Sequence, residues 1–428
     1  MTPNILKSLA IVLCLSLLTA CATQEGIVSS GFSSLISSQK PSSPSSQKGS
    51  SATNSTADSS SYGSSAKPSS QNSSNKVSSK PSSTASQLPT INVSGYEKYS
   101  GTRNAWKWPF AATSIWNMPI GSDAKLEKAN FRSEYCVAID DEYHVIVPEG
   151  SPTVDVYSPS GWQTRWPGNQ YLGKMQVPSN FYLADAREGS TPNNCAAFLM
   201  PDGRTIRQLE PCCRLETGNA RIVGWLHSED QDIYGDGIKG THYGSGLSAI
   251  GGSIRKGELT SDEPIRHALK LNVYAKNYLY YDTSTRKGYI WPADRNDSYA
   301  ASGNNAYGGT NPKLRMGTLL TIPQNVTAES LGIKTEVGKK LFYALQNYGC
   351  YIVDDSAWSC YAWSAEAGVS DEVNAKYGYS LVSNSGWNND YYKDTIALIT
   401  NLYIVTNNSP TTIGGGGTPC KPLAPDFE

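Results

Sequence analysis

Apolar and polar positions alternate in short runs along most of the chain beyond residue 90, and turn-forming residues separate the runs. Side chains of an extended strand point alternately to its two faces, so this pattern predicts half-buried strands. The runs are Cys136–Ala138, Tyr143–Val147, Thr153–Tyr157, Ala196–Met200, Thr205–Leu209, Arg221–Leu226, Ala268–Tyr274, Gly288–Trp291 and Leu314–Ile322, followed by Cys350–Val353 and Trp358–Trp363. Pro201-Asp202-Gly203-Arg204, between two of them, has the composition of a hairpin turn. Helical spacing occurs twice. In Thr335–Tyr348, Val337, Leu341, Phe342, Leu345 and Tyr348 share one face and Gly349 supplies a stop. In Asn388–Leu402, Tyr391, Ile396, Leu398 and Ile399 form a broader stripe, with Asn388 or Asn389 as N-cap and Asp390 in the first turn. Many strands and few helices predict a mainly β fold: a single large sandwich or barrel-like domain over 91–428, with a few peripheral helices.

The first 90 residues follow different rules. Residues 1–20 hold one early lysine and an apolar run, Leu9–Leu18, too short to span a bilayer as a permanent helix. The run ends in Leu18-Thr19-Ala20-Cys21, which resembles a bacterial lipobox and implies a cleaved signal with lipidation of Cys21. No Asp follows Cys21 directly, which by resemblance to Gram-negative lipoproteins implies the outer membrane, with lipid as the only membrane contact. Residues 21–90 are dominated by serine with Pro, Lys, Gln and Asn. Such a chain buries too little surface to offset its ordering entropy, so it reads as a tether, with an r.m.s. span of about 40 Å. Serine-rich linkers of this kind resemble those of bacteria that degrade plant cell walls, and they place the domain facing the cell exterior.

Composition narrows the class. The formal charge is −1, and most of the basic excess sits in the serine-rich segment, leaving 91–428 mildly acidic with no basic block. A nucleic-acid partner is excluded on that ground. Nearly all of the 10 Trp and 26 Tyr lie beyond residue 90, enough for a core and a ring-lined binding surface. Nine Cys are present. With Cys14 in the signal and Cys21 acylated, an odd number remains, so one stays free or pairs unusually. Cys350 with Cys360 is the expected bridge, since the residues between them read as a hairpin, and Cys195 with Cys212 or Cys213 comes second. No CxxC pair exists and the four histidines are not at ligand spacing, so no zinc site is expected.

Several ordered blocks between Trp106 and Val405 add a resemblance: Ser114-Ile115-Trp116-Asn117-Met118-Pro119-Ile120; Gly244-Ser245-Gly246-Leu247-Ser248 followed by Gly251-Gly252; Ile265-Arg266-His267-Ala268-Leu269; Ile290-Trp291-Pro292-Ala293; Leu345-Gln346-Asn347-Tyr348-Gly349 running to Val353-Asp354-Asp355; and Trp387-Asn388-Asn389-Asp390. Together they resemble a family of secreted bacterial proteins frequent in actinomycetes and polysaccharide degraders. The resemblance implies kinship without an activity, so function rests on the residues.

No P-loop, dinucleotide-binding glycine pattern, HExxH or GxSxG motif occurs. Tyr243–Gly252 reads as a tight Gly/Ser turn where backbone approaches backbone or ligand. The most polar stretch, Trp225–His242, holds His227, Glu229, Asp230, Asp232, Asp236, Lys239 and His242. Glycosidase chemistry needs two carboxyl groups roughly 5–10 Å apart, and this stretch can supply one or both. The same acids could hold Ca²⁺, although their order departs from an EF-hand, or form a solvated loop. Alternation on Thr205–Leu209 places Ile206, Gln208 and Glu210 on one face, with Glu210 at a strand rim. Asp354 directly continues an apolar strand that would fix it. The candidate catalytic set is therefore Glu210, Asp232, Asp354 and His242. Trp225, Tyr243, Trp291, Trp387 and Asn388 are candidates for sugar contact, since rings stack on sugar C–H faces while amides bond hydroxyls.

The expectation is a monomeric cell-surface lipoprotein acting on an extracellular polysaccharide as a glycoside hydrolase, without a cofactor. A polysaccharide lyase, using His242 or Tyr243 with Arg255 or Arg266, and a non-catalytic glycan binder are the alternatives.

Overall fold

A computed structural model describes residues 91, 93–161, 167–184, 194–387 and 389–428. The signal, Cys21, the serine-rich segment and Asn388 lie outside the described residues. The strands in chain order are β1 (Thr102–Arg103), β2 (Leu126–Lys128), β3 (Cys136–Ile146), β4 (Thr153–Pro159), β5 (Pro167–Gln176), β6 (Cys195–Leu199), β7 (Thr205–Cys213), β8 (Ile222–Leu226), β9 (Gln231–Asp232), β10 (Leu269–Val273), β11 (Leu319–Thr321), β12 (Cys350–Asp355), β13 (Cys360–Glu366), β14 (Ser383–Asn384), β15 (Tyr403–Val405) and β16 (Asp426–Phe427). Helices cover Ala275–Tyr278, Glu336–Asn347, Val369–Tyr377 and Asp390–Thr400. The fold is mainly β, as the alternation predicts.

One mixed sheet of 14 strands runs β2-β15-β11-β12-β10-β13-β3-β6-β7-β8-β4-β5, with β14 beside β3 and β9 beside β7. β6 and β7 form the hairpin around Gly203, whose φ of 66° suits the turn. Ladder register divides the central strands into two faces. Leu271 lies opposite Trp363 and Trp363 opposite Ile139, and this apolar face carries the largest core cluster, which includes Leu341, Leu345, Leu398 and Ile399 of the long helices. Thr335 caps the first of those helices and Asn389 the second, through side-chain oxygens accepting from Gly338 N and from Tyr391 N and Tyr392 N.

The other face is polar along a continuous line. Asn272 lies opposite Ala362, Ser364 opposite Asp140, Glu366 opposite Glu142, and Glu142 opposite Cys195. The line continues to Gln208 and Glu210 on β7. The sheet is strongly curled with this face inside. β12 and β7 are five steps apart in the sheet order, a span of about 24 Å in a flat sheet. Yet side chains of the two strands, Asp354 and Glu210, bring polar atoms within 4.8 Å.

Residues 237–254 cover the concave side. Gln208 pins this cover, accepting from Ala249 N at 2.7 Å and donating to Lys239 O at 3.1 Å. Gly251 and Gly252 lie flat on the Trp116 ring, and Trp116 Nε1 donates to Gly237 O at 2.7 Å. A Cβ on Gly252 would stand 2.5 Å from Trp116 Cζ3, at a φ of +75°. Gly252→Val therefore combines a disfavoured backbone with overpacking and should destabilise by about 2–4 kcal/mol in equilibrium denaturation. A loss under 0.5 kcal/mol would contradict this packing.

The single disulfide among the described residues joins Cys136 and Cys360, register partners on parallel β3 and β13 with Cα atoms 4.6 Å apart. This corrects the expected Cys350–Cys360 bridge. β12 and β13 are not a hairpin, because β10 lies between them, and Cys350 is buried against Leu269 and Leu320 instead. Cys195 forms no bridge with Cys212 or Cys213 either, and Cys195 and Cys212 belong to core clusters on opposite faces. Gly288–Trp291 is not a strand but makes an isolated bridge, Tyr289 to Met316. No described helix is long and apolar enough to cross a membrane.

Candidate active site

Asp140, Glu142 and His144 alternate along β3 toward the concave side, and Lys270 and Asn272 do so along β10. His242 reaches down onto them from the cover, where the turn His242–Gly246 closes through Ser245 N to His242 O at 3.1 Å. His242 Nε2 lies 2.7 Å from Glu142 Oε1, and Lys270 Nζ donates to the same oxygen at 2.6 Å and to Ser248 O at 2.9 Å. Ser253 Oγ donates to the other Glu142 oxygen. Glu142, His242, Ser253, Lys270 and Asn272 are buried, and Asp140 and His144 are half-buried residues.

Glu210 and Asp354 complete the cluster. Glu210 Oε2 accepts from Tyr243 N at 2.9 Å, and Asp354 Oδ1 accepts from Asp355 N at 2.9 Å. His242 Nδ1 stands 3.7 Å from Asp354 Oδ2, too far for a hydrogen bond but close for charge. One polar atom each of Glu210, His242 and Asp354 lie within 4.8 Å of one another. Gly244 is required here, because a Cβ would stand 2.5 Å from Asp354 Oδ1.

Packing several acids into a dry concavity separates their proton affinities. Burial raises Glu210 well above the usual carboxylate range, and the charges of Asp354 and Asp140 add to this while His242 opposes. Burial also pushes Asp140 up to about 6, against the attraction of His242. Glu142 is the opposite case. Burial would raise it, but the Lys270 charge, the His144 imidazole 3.7 Å away and the contact with His242 hold it well below the carboxylate range. For His242, burial and Lys270 lower the affinity, yet Asp354 and Glu142 outweigh them and raise it to about 10.

A second acidic group adjoins this one. Asp297 accepts from Tyr307 Oη at 2.6 Å, and burial with the charge of Asp354 pushes it up to about 8 from 3.8. A raised folded pKa contributes stability that is whole below the unfolded value and lost as pH climbs through the folded one. Between about pH 4 and pH 8, Asp297 therefore makes the fold progressively less stable. Asp297→Asn should remove this slope, improving relative to wild type by at least about 1 kcal/mol between pH 5 and pH 7. Parallel denaturation curves at the two pH values would refute it.

Of the sequence-chosen residues, Glu210, His242 and Asp354 converge. Trp225 lies opposite Glu210 in the β7/β8 ladder and stacks on Tyr243, with ring centroids 5.5 Å apart. Tyr243 is 38% exposed, so the pair reaches solvent. Trp291 is half-buried against the same core, and Asp294 N, three residues on, donates to Ser245 O at 3.0 Å in the cover turn. Trp387 is exposed on the turn after β14. Asp232 is not part of the cluster. It pairs with Arg204 at 2.6 Å, and its ladder partner Thr205 is five residues from Glu210, about 16 Å along the strand. The rest of the polar stretch is surface pairing: Asp230 with Arg207 at 2.9 Å and Glu229 with Lys239 at 3.2 Å. Asp230, Asp232 and Asp236 form no ligand cluster among the described residues. Arg255 is engaged by Glu366 at 3.1 Å, Arg266 by Glu263 at 2.9 Å, and His267 by Glu258 at 3.1 Å.

Sequence reasoning missed Asp140, Glu142 and Lys270. Their signal is polar side chains at every second position of strands that are otherwise apolar. Comparison with known proteins returns no matching family model, curated protein or solved structure, so the functional reading rests on this site.

Proposed function

We propose that the protein is a surface-tethered enzyme that cleaves an extracellular polysaccharide by hydrolysis, with Glu210 and Asp354 as its carboxyl pair. The observation that carries this reading is the convergence of those two carboxyl groups beside His242, next to the solvent-reaching Trp225–Tyr243 ring pair. Glu210, pushed toward its protonated form, supplies the proton to the leaving oxygen. Asp354 supplies the second carboxyl, and Glu142 with Lys270 fixes the imidazole between them. A spacing within 4.8 Å suits a carboxylate that attacks the sugar directly, which retains the anomeric configuration. Glu210 is 1% and Asp354 5% exposed, so substrate entry requires the turn Tyr243–Gly246 to lift. Lipidation at Cys21, the serine tether, an outer-membrane address and kinship with secreted bacterial proteins belong to the same proposal.

The test is product release from a panel of plant, algal and microbial polysaccharides. Hydrolysis predicts new reducing ends with no ultraviolet absorbance of an unsaturated uronate. Absorbance rising with the reducing ends would replace hydrolysis by elimination. Retention of a polymer with no cleavage of any would leave a binding protein.

A further inference from the structure

Glu210 Oε1 and His242 Nδ1, two of the buried polar atoms without a hydrogen-bond partner, both belong to the Glu210–His242–Asp354 group. Buried groups of this kind are nearly always satisfied, so two unmade positions within one group whose ligand atoms lie within 4.8 Å of one another point to a ligand. The opposite ring nitrogen is already held, with His242 Nε2 2.7 Å from Glu142 Oε1. A carboxylate on one imidazole nitrogen fixes the ring and leaves the other nitrogen for a metal. Glu142, Cys195 and His242 also come within 4.8 Å of one another, but there Lys270 Nζ stands 3.1 Å from Nε2, and its ammonium repels a cation. The Nδ1 side faces the Asp354 carboxylate at 3.7 Å.

We propose that Glu210, His242 and Asp354 bind one divalent transition-metal cation. One imidazole and two carboxylates form a nitrogen–oxygen donor set suited to Zn²⁺, Mn²⁺ or Co²⁺, with open positions left for water. Ca²⁺ takes six to eight oxygens and is disfavoured. Ligand atoms around a tetrahedral ion lie about 3.3 Å apart at bonds of about 2.0 Å, so rotamer adjustments draw the three inward from their present spacing. The inference rests on the hydrolytic reading of the same cluster and revises one role in it, because a cation on Glu210 occupies the group that would otherwise donate the proton.

Calorimetric titration of metal-depleted protein with Zn²⁺ and with Mn²⁺, in the absence of polysaccharide, tests the site. The expected result is one cation per chain, bound on the order of tenfold or more weakly by Glu210→Gln and Asp354→Asn and unchanged in Asp232→Asn. Should a ligand variant fail to fold, the visible spectrum of Co²⁺ on the wild-type chain supplies the donor set. No uptake by wild type, or uptake unchanged in both folded ligand variants, overturns the proposal. Cleavage by metal-free and metal-loaded protein is read separately. Cleavage that persists without metal upholds the carboxyl pair whatever the titration shows. Cleavage that requires metal keeps the cation site and removes the proton-donor role of Glu210.

Discussion

Glu210→Gln should lower polysaccharide cleavage by about 10³-fold while the protein stays folded, because it removes the proton donor without changing side-chain volume. The two effects separate for a physical reason. Glu210 is buried and driven toward its neutral form, so a neutral amide of the same shape replaces it without creating a new buried charge. Its remaining contact, the 2.9 Å hydrogen bond from Tyr243 N, survives through the amide oxygen. Circular dichroism and the unfolding midpoint should therefore match wild type while product release is lost. Activity within threefold of wild type would show that the donor lies elsewhere.

Lys270→Met carries the largest expected effect on stability. Lys270 and Glu142 are both buried, and the ammonium is Glu142's closest cationic partner at 2.6 Å. Removing one half of a buried pair leaves the other charged in a low dielectric, which costs about 3–5 kcal/mol. His242 limits the loss, since it stands 2.7 Å from the same oxygen. The double variant Lys270→Met/Glu142→Gln removes both charges and should recover at least about half of that cost in urea denaturation. A single variant within 1 kcal/mol of wild type would mean that the Glu142 charge is compensated without Lys270. A double variant no better than the single one would place the cost in packing.

Periodicity anticipates the strands well where one face is apolar, as on Thr205–Leu209 and Ala268–Tyr274, and it anticipates both long helices, with the Gly349 stop of the first and the Asn389 cap of the second. It fails on β3. Asp140-Asp141-Glu142 interrupts the apolar run, so one 11-residue strand reads as two fragments. The acids are tolerated because the curled sheet gives this strand a polar inner face rather than solvent. The disulfide fails for a topological reason: sequence shows that Cys350 and Cys360 both open strands, but not that β10, contributed from much earlier in the chain, inserts between them. Glu210 and Asp354 were identifiable as rim carboxylates, each from its own strand. Their meeting depends on sheet curvature, which leaves no local trace. A ligand-spacing test sees nothing in Glu210, His242 and Asp354 for the same reason. Asp232 misled because a dense run of acids resembles a site, whereas here Glu229, Asp230 and Asp232 face surface cations and Asp236 accepts from Ile238 N.

The most direct measurement follows reducing ends released from one susceptible polysaccharide by wild type, Asp354→Asn and Asp232→Asn at equal concentration and matched fold. Wild type and Asp232→Asn should cleave at similar rates, while Asp354→Asn falls by at least about 10²-fold and still retains the polymer. Equal cleavage by Asp354→Asn and wild type would contradict a catalytic centre built on the convergence of β7 and β12.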